Sequence, residues 1–185
     1  MNDCPFGKKY PSELRRDDEY FMAIAYNQAI EAWRKDETPI GAVAVLGSEI
    51  IASAHNSVIS LNDPTAHAEL QLITQAARVI GDWRLDDVAI YVTKEPCPMC
   101  SGAMIMGRVG TVIFGAEDPK MGCLGGCFHL QNLKEINHRP IVKSGILGDD
   151  CRVLIQSFFA MKRKKSHNEQ VRSAAPTAPH NTILN

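Results

Sequence analysis

Two short stretches decide the fold of this chain: His67-Ala68-Glu69 and Pro96-Cys97-Pro98-Met99-Cys100. The first opens a predicted helix, about residues 66–80, that stops at Gly81, a residue that readily takes the left-handed conformation of a helix end. The second opens another predicted helix, about residues 98–106, with Pro98 in its first turn, where a missing N–H costs nothing. An imidazole and two thiols at helix N-termini indicate metal binding.

The ligand set predicts a catalytic rather than a structural metal site. His67, Cys97 and Cys100 supply one imidazole and two thiolates, which leaves the fourth tetrahedral position of a zinc ion open for water. A structural zinc site normally closes all four positions with protein ligands. The partial positive charge of a helix N-terminus also favours thiolate over thiol. We therefore expect Zn²⁺ as the cofactor.

Glu69 lies two residues after His67 and can face the site without binding the metal. Zinc lowers the pKa of its water toward about 7, and a nearby carboxylate can pass the proton to a ring nitrogen. These are the steps of hydrolytic deamination, in which hydroxide adds to a ring carbon and ammonia leaves. The pattern H-x-E…P-C-x-x-C is the signature of zinc deaminases. A redox pair at Cys97 and Cys100 is the alternative, against which the upstream His-Ala-Glu argues.

The cysteine content fits a reducing compartment. Residues 1–9 contain no apolar signal core, and no run approaches the roughly 20 apolar residues that span a bilayer. We therefore expect a cytoplasmic protein that does not enter a membrane. The thiols should be reduced; they are Cys4, Cys97, Cys100, Cys123, Cys127 and Cys151.

Working outward from the two motifs, strands and helices alternate along the chain. The length of 185 residues, 45% of them hydrophobic, fits one globular domain. Alternation of this kind predicts an α/β sandwich, a mixed sheet covered by helices. The predicted strands are 42–46, 50–54, 88–93, 111–115 and 141–143, and further helices are predicted at about 17–34 and 149–164. The domain prediction is a flexible extension at 1–16, a zinc-dependent deaminase domain at 17–165 and a disordered tail at 166–185.

Charge is distributed unevenly although the net charge is −1. Residues 134–165 hold eight Lys or Arg and three Asp or Glu, a net of +5. Near-neutrality of the whole chain argues against a nonspecific nucleic-acid coat, while the basic C-terminal third leaves room for a local phosphate contact. A solvated basic helix end is the alternative interpretation.

Beyond the metal motif, the sequence resembles the bacterial tRNA adenosine deaminases of the cytidine-deaminase superfamily. The resemblance runs from about Glu19 to Lys165. It rests on Thr38-Pro39-Ile40-Gly41-Ala42, Asp63-Pro64-Thr65-Ala66-His67-Ala68-Glu69, Trp83-Arg84-Leu85, Tyr91-Val92-Thr93, Glu95-Pro96-Cys97-Pro98-Met99-Cys100, Ser101-Gly102-Ala103-Met104, Phe114-Gly115-Ala116, Asp118-Pro119-Lys120, Asn137-His138-Arg139 and Phe158-Phe159-Ala160-Met161-Lys162-Arg163.

This resemblance implies a three-layer α/β/α sandwich with a five-stranded mixed sheet, assembled as a homodimer with one zinc per subunit. It implies as substrate the anticodon loop of an arginine tRNA, whose wobble adenosine is splayed into the pocket and becomes inosine. An unstacked loop base costs little to extrude. The implied substrate contacts are Asn56 to the purine, Asp118 and Lys120 to the ribose and neighbouring nucleotides, and Phe158, Lys162 and Arg163 on a helix that closes over the RNA.

Alternatives remain open at this stage. Asn56 alone suits a strand end, and Asp118 alone suits an Asx-turn before Pro119. Lys94 departs from the apolar residue that the family usually has there. The function alternatives are a deaminase of a free base or nucleoside, such as guanine or cytidine, and a noncatalytic RNA-binding zinc module. The presence of Glu69 argues against the module, because holding zinc does not require that carboxylate.

Overall fold

The computed structural model describes residues 3–174, the last seven of them by their backbone alone. Helices and strands alternate as the sequence predicts. Their order is α1 (Asp18–Arg34), β1 (Gly41–Leu46), β2 (Glu49–His55), α2 (Val58–Leu61), α3 (Ala68–Ile80), β3 (Val88–Lys94), α4 (Pro98–Met106), β4 (Thr111–Ala116), β5 (Ile141–Ser144) and α5 (Gly148–Ala174). The short helix α2 was not predicted.

The five strands form one mixed sheet with the order β2-β1-β3-β4-β5. Strand β1 runs antiparallel to both β2 and β3, whereas β3, β4 and β5 are parallel. Parallel neighbours need a crossover connection, and α4 provides it between β3 and β4. The predicted α/β class with a five-stranded mixed sheet is confirmed.

Helices cover both faces of the sheet, and the side chains of β1 show how. Val43 and Val45 belong to the hydrophobic cluster under α1 and α5, whereas Ala42 and Ala44 belong to the cluster under α3. Successive side chains of a strand point to opposite faces, so β1 contributes to both cores. The result is the predicted three-layer α/β/α sandwich.

Gly41 sets the close approach of α1 to the sheet. A Cβ atom at this position would lie 2.3 Å from the carbonyl oxygen of Ala25 and from the amide nitrogen of Ala29. The Gly41 N–H donates to Thr93 Oγ1 at 3.1 Å, which ties β1 to the end of β3. Any side chain here would push the helix off the strand.

Within the N-terminal segment that was expected to be a flexible extension, residues 1–16, residues 4–9 contact α1. The ring of Phe6 contacts Trp33 edge-on, with centroids 6.0 Å apart. The backbone of Lys9 and the side-chain amide of Asn27 exchange two hydrogen bonds of 2.7 Å. The charged and small residues around Phe6 concealed this apolar contact in the sequence.

At the other end, α5 continues to Ala174, beyond the predicted end at about Lys164. The tail predicted to be disordered, residues 166–185, thus begins within this helix, and residues 175–185 lie outside the described part of the chain. No proline or glycine interrupts the sequence between Lys164 and Ala174, so nothing local stops the helix. No helix within residues 3–174 is both long and apolar enough to cross a membrane.

Candidate metal centre and active site

Three predicted ligands come together at the N-termini of α3 and α4. His67 is the N-cap residue of α3, and Cys97 is the N-cap residue of α4. The Nδ1 atom of His67 lies 3.7 Å from Cys97 Sγ and 3.5 Å from Cys100 Sγ. All three ligand atoms lie within 4.8 Å of one another, close enough to hold one metal ion. Cys100 is completely buried.

Hydrogen bonds within this cluster shift the pKa values of all three candidate ligands. Hydrogen bonding from Cys100, together with that from His67, lowers the pKa of the Cys97 thiol to about 4. The same interaction, with burial added, raises the pKa of Cys100. The hydrogen bond with Cys97 raises the pKa of His67. The lowered pKa favours the thiolate form of Cys97, and one imidazole with two thiolates is a ligand set that suits zinc.

Glu69 lies in the first turn of α3, next to the ligand cluster, and is 3% exposed. Burial raises the pKa of its carboxyl group. Its Oε2 atom is buried and has no hydrogen-bond partner among the described residues. Burying an unpaired carboxyl oxygen is costly, and such an atom usually serves a function. A carboxyl group with a raised pKa and a free oxygen can both accept and return a proton.

Asn56 follows β2 directly and is 5% exposed. Its Nδ2 atom donates a 3.1 Å hydrogen bond to Glu37 Oε2, and its backbone N–H donates to Ile40. The other oxygen of Glu37 accepts from the backbone N–H of Ser60 at 2.7 Å. Glu37 is completely buried and was missed in the sequence, where it stands as an ordinary charged residue after a helix.

Asp118 lies in the loop after β4, and its carboxylate has three donors. Oδ1 accepts from the backbone N–H groups of Lys120 and Met121, and Oδ2 accepts from Lys94 Nζ. The bond to Lys120 is the Asx-turn expected before Pro119. The contact with Lys94 could not be read from the sequence. Lys120 itself is exposed.

Glu95 holds this loop in place from the end of β3. Its carboxylate accepts hydrogen bonds from the backbone N–H groups of Asp118, Leu124 and Gly126. A Cβ atom at Gly126 would lie 2.3 Å from Glu95 Oε2, and one at Gly122 would lie 2.2 Å from the same carboxylate. Glu95 is 3% exposed and was not predicted as a site residue, although it belongs to the Glu-Pro-Cys motif.

The C-terminal helix requires one correction. Phe158, predicted to contact substrate, is 2% exposed, and its ring lies edge-on to Trp33 with centroids 5.1 Å apart. It is a core residue, and its neighbour Phe159 is 42% exposed instead. Lys162 pairs with Asp36 at 2.5 Å. Arg163 is exposed.

The fold and the cluster indicate a deaminase, and the sequence agrees. The family model of MafB19-like deaminases matches residues 16–163. The tRNA-specific adenosine deaminase of Bacillus subtilis (strain 168) is 45% identical over 148 residues, which are 80% of this chain and 92% of that protein. This chain belongs to the MafB19-like deaminase family and, within it, to the tRNA-specific adenosine deaminases.

Two solved structures extend the comparison. One comes from work on A-to-I editing by tRNA:A34 deaminases at the wobble position of transfer RNA. It is 38% identical with a TM-score of 0.71, and the match covers 73% of this chain and 98% of that one. The guanine deaminase of Bacillus subtilis is 42% identical with a TM-score of 0.53 over 55% of this chain and 65% of that one.

Proposed function

We propose that this chain hydrolytically deaminates adenosine to inosine at the wobble position of a tRNA anticodon, with one zinc ion held by His67, Cys97 and Cys100. The observation that carries the proposal is Glu69, a buried carboxyl group with an unpaired oxygen beside a three-ligand cluster. A structural zinc site needs neither the fourth open position nor the carboxylate. The noncatalytic zinc module accounts for neither feature.

The chain's own residues supply the proton transfer and the orientation of the base. Zinc, when bound, supplies a Lewis acid that makes water acidic enough to act as a nucleophile near neutral pH. Glu69 accepts the proton released from that water and delivers it to the purine ring nitrogen, which makes the ring carbon electrophilic. After hydroxide adds to that ring carbon, Glu69 takes the proton of the new hydroxyl group and passes it to the exocyclic amine, so the carbon–nitrogen bond breaks and ammonia leaves. Burial raises the pKa of the Glu69 carboxyl group, which favours the protonated form that donates to the ring nitrogen.

Asn56 is proposed to hold the purine. Its Nδ2 atom is engaged by Glu37, which leaves the carbonyl Oδ1 and the second amide hydrogen to meet the base edge. The bond to Glu37 fixes the amide plane, so little side-chain entropy is lost when the base binds. Guanine and adenine present different donors and acceptors, so this site contributes to substrate choice.

The anticodon loop of an arginine tRNA is the proposed RNA substrate. The relatives named tRNA-specific adenosine deaminase and the solved structure on wobble-position editing support a tRNA substrate, whereas the choice of an arginine tRNA follows from the sequence resemblance alone. A single-stranded loop offers an adenosine that is already unstacked. Lys120 and Arg163 are exposed cations available for phosphate contacts, and Asp118 is proposed to face the ribose. On the basic C-terminal helix α5, Phe158 is proposed to support the helix from the core and not to contact the RNA.

We also propose that the protein is a homodimer. Its proposed location is the cytoplasm, where tRNA is modified. The homodimer follows from the sequence resemblance, and the exposed apolar side chains of Ile59, Leu61 and Met106 are proposed to contact the partner subunit. Residues 17–165 are proposed as the deaminase domain. Sedimentation of the purified protein at micromolar concentration distinguishes a dimer from a monomer.

The proposed function is tested by incubating the full chain with an arginine-tRNA anticodon stem-loop that carries adenosine at the wobble position. The product is digested and inosine is measured by mass spectrometry, before and after chelation and after zinc is added back. We expect inosine from the untreated and zinc-restored protein and none after chelation. The Cys97→Ser, Cys100→Ser double variant should lack zinc. Equal inosine formation with and without metal would overturn the proposal.

A further inference from the structure

A surface cavity of about 620 Å³ lies beside the end of β2, and the proposed mechanism does not use it. Lys35 and His55 are the two side chains in its lining that can carry a charge, and no carboxylate of the described residues lines it. Serine and glutamine side chains form most of the remaining wall. A cavity lined by charge of one sign attracts ligands of the opposite sign, so this lining suits an anion.

The imidazole of His55 is held in one orientation and one tautomer. Its Nδ1 atom lies 2.9 Å from the backbone carbonyl oxygen of Asn56. A carbonyl oxygen only accepts, so Nδ1 carries the hydrogen and Nε2 of the neutral ring is an acceptor. The ammonium of Lys35, which only donates, lies 2.9 Å from that Nε2 atom. The ring therefore fixes the position of the ammonium without cancelling its charge.

Lys35 differs in this respect from other lysines of the fold. Lys8, Lys94 and Lys162 each contact a carboxylate, which offsets their charge. Among residues 3–174, Lys35 forms no ion pair with a carboxylate, and its contact with His55 uses one of three N–H donors. A positive charge and two donors thus remain for a ligand in the cavity.

The cavity lies at the edge of the sheet where the metal cluster lies. Strand β1 runs antiparallel to both β2 and β3, so its start at Gly41 lies between the ends of those two strands. Gly41 pairs with His55 at the end of β2, and Cys97 follows the end of β3. Asn56 connects the two places, because its side chain is proposed to hold the purine and its carbonyl orients His55. A ligand on Lys35 is therefore held in a fixed relation to the base.

We propose that Lys35 binds a backbone phosphate of the RNA strand that carries the target adenosine, and that His55 is the positioning residue that orients the ammonium. This inference rests on the proposed function, since it requires RNA in the site. Every nucleotide brings a phosphate with it, so a base held by Asn56 has phosphates close by. Contacts to phosphate fix the register and orientation of a nucleic acid without reading its sequence.

The test measures Kd for the anticodon stem-loop at several salt concentrations, for the parent, Lys35→Gln and Lys35→Arg. Lys8→Gln is the matched control, because Lys8 pairs with Glu31 in the last part of α1 and lies outside the cavity lining. Zinc content, Tm and sedimentation are measured for each protein. We expect the slope of log K against log salt to become shallower by about 0.7–1 unit in Lys35→Gln. Lys35→Arg and Lys8→Gln should keep the parental slope.

Two further measurements test the imidazole and the source of the phosphate. His55→Leu keeps the ammonium but not its orientation, so we expect the parental slope with a Kd about two- to tenfold higher. A parental Kd in this variant would overturn the positioning role of His55. Inorganic phosphate is titrated at constant ionic strength. If it raised the Tm of the parent but not of Lys35→Gln, while both kept one slope for RNA, the site would bind a free anion and the inference would be overturned.

The remaining outcomes separate this inference from the proposed function. A parent that forms inosine while Lys35→Gln keeps the parental slope would overturn the inference alone. Weaker RNA binding in Lys35→Gln with an unchanged slope and altered sedimentation would assign the cavity to a contact between subunits and also overturn it. A parent that forms no inosine from the stem-loop would overturn the proposed function, and this inference with it, before any variant is made.

Discussion

The side-chain amide of Asn56 donates a 3.1 Å hydrogen bond to Oε2 of the completely buried Glu37. The other oxygen of Glu37 binds the backbone of Ser60, in the short helix α2. One carboxylate thus connects the residue proposed to hold the purine with the segment that follows it. We therefore expect Glu37 to position Asn56 for the substrate without touching the base itself.

Glu37→Gln should weaken this connection. A glutamine has one acceptor oxygen, so it cannot serve both the Asn56 amide and the Ser60 N–H, and one buried donor loses its partner. We expect the free energy of unfolding to fall by about 1–3 kcal/mol and KM for the RNA to rise. Urea unfolding and steady-state kinetics measure the two effects. Glu49→Gln, at an exposed glutamate that pairs with Arg16, is the control. Parental KM in Glu37→Gln would show that Asn56 does not need the carboxylate.

Glu69→Gln should keep the metal and the fold but lose turnover. The amide fills the same space and cannot accept or return a proton, so we expect kcat to fall about 10²–10⁴-fold. Zinc analysis accompanies the kinetics. Loss of zinc would mean that Glu69 is a ligand, and substantial remaining activity would rule out its role in proton transfer.

The cluster of His67, Cys97 and Cys100 beside Glu69 was predictable because its signals are local. His67 and Cys97 stand at helix starts that the flanking turn, proline and glycine residues already indicate, and both are N-cap residues in the structure. Glu37 and Glu95 were not predictable in the same way. Their partners lie 19 to 31 residues away, and only the folded chain brings them together.

In the C-terminal helix α5, the RNA contact that the family resemblance implies for Phe158 disagrees with the position of its side chain in the structure. Leu154 and Phe158 are four residues apart and therefore share the face that contacts the core, as their exposures of 0% and 2% confirm. The resemblance assigned Phe158 to the RNA, whereas its place one turn after Leu154, on the face that contacts the core, explains its burial. The contact between Phe6 and Trp33 could not be predicted either, because the two residues are far apart in the sequence and no local pattern indicates that they meet.

Gly126→Ala should disturb the loop that carries Asp118. The new Cβ would lie 2.3 Å from Glu95 Oε2 and 2.5 Å from the carbonyl oxygen of Asp118, so the loop must shift. We expect a stability loss of about 1–3 kcal/mol and reduced activity on RNA. Gly102→Ala in α4 is the control, since nothing lies within 4 Å of its Cβ position, and it should be neutral or stabilising. Full activity in Gly126→Ala would contradict the proposed importance of this loop.

Arg163→Gln should weaken RNA binding more clearly than Lys162→Gln. Lys162 already has Asp36 as a partner, whereas Arg163 is exposed, so only Arg163 is expected to release a counterion fully when it meets a phosphate. We expect the slope of log K against log salt to change by about one unit in Arg163→Gln. Arg78→Gln on α3 serves as the control. An unchanged slope in Arg163→Gln would identify the basic end of α5 as an ordinary solvated helix segment.

The central claim is that this deaminase acts on adenosine in RNA rather than on a free base. It is tested most directly by the ratio of kcat/KM for the wobble-adenosine stem-loop to kcat/KM for free guanine, measured on one zinc-loaded preparation. We expect the stem-loop to be preferred by at least about 10³-fold, because a site that hydrogen-bonds its proper substrate rejects analogues that leave its buried groups unpaired. A ratio near or below one would contradict the account and assign the enzyme to free-base deamination.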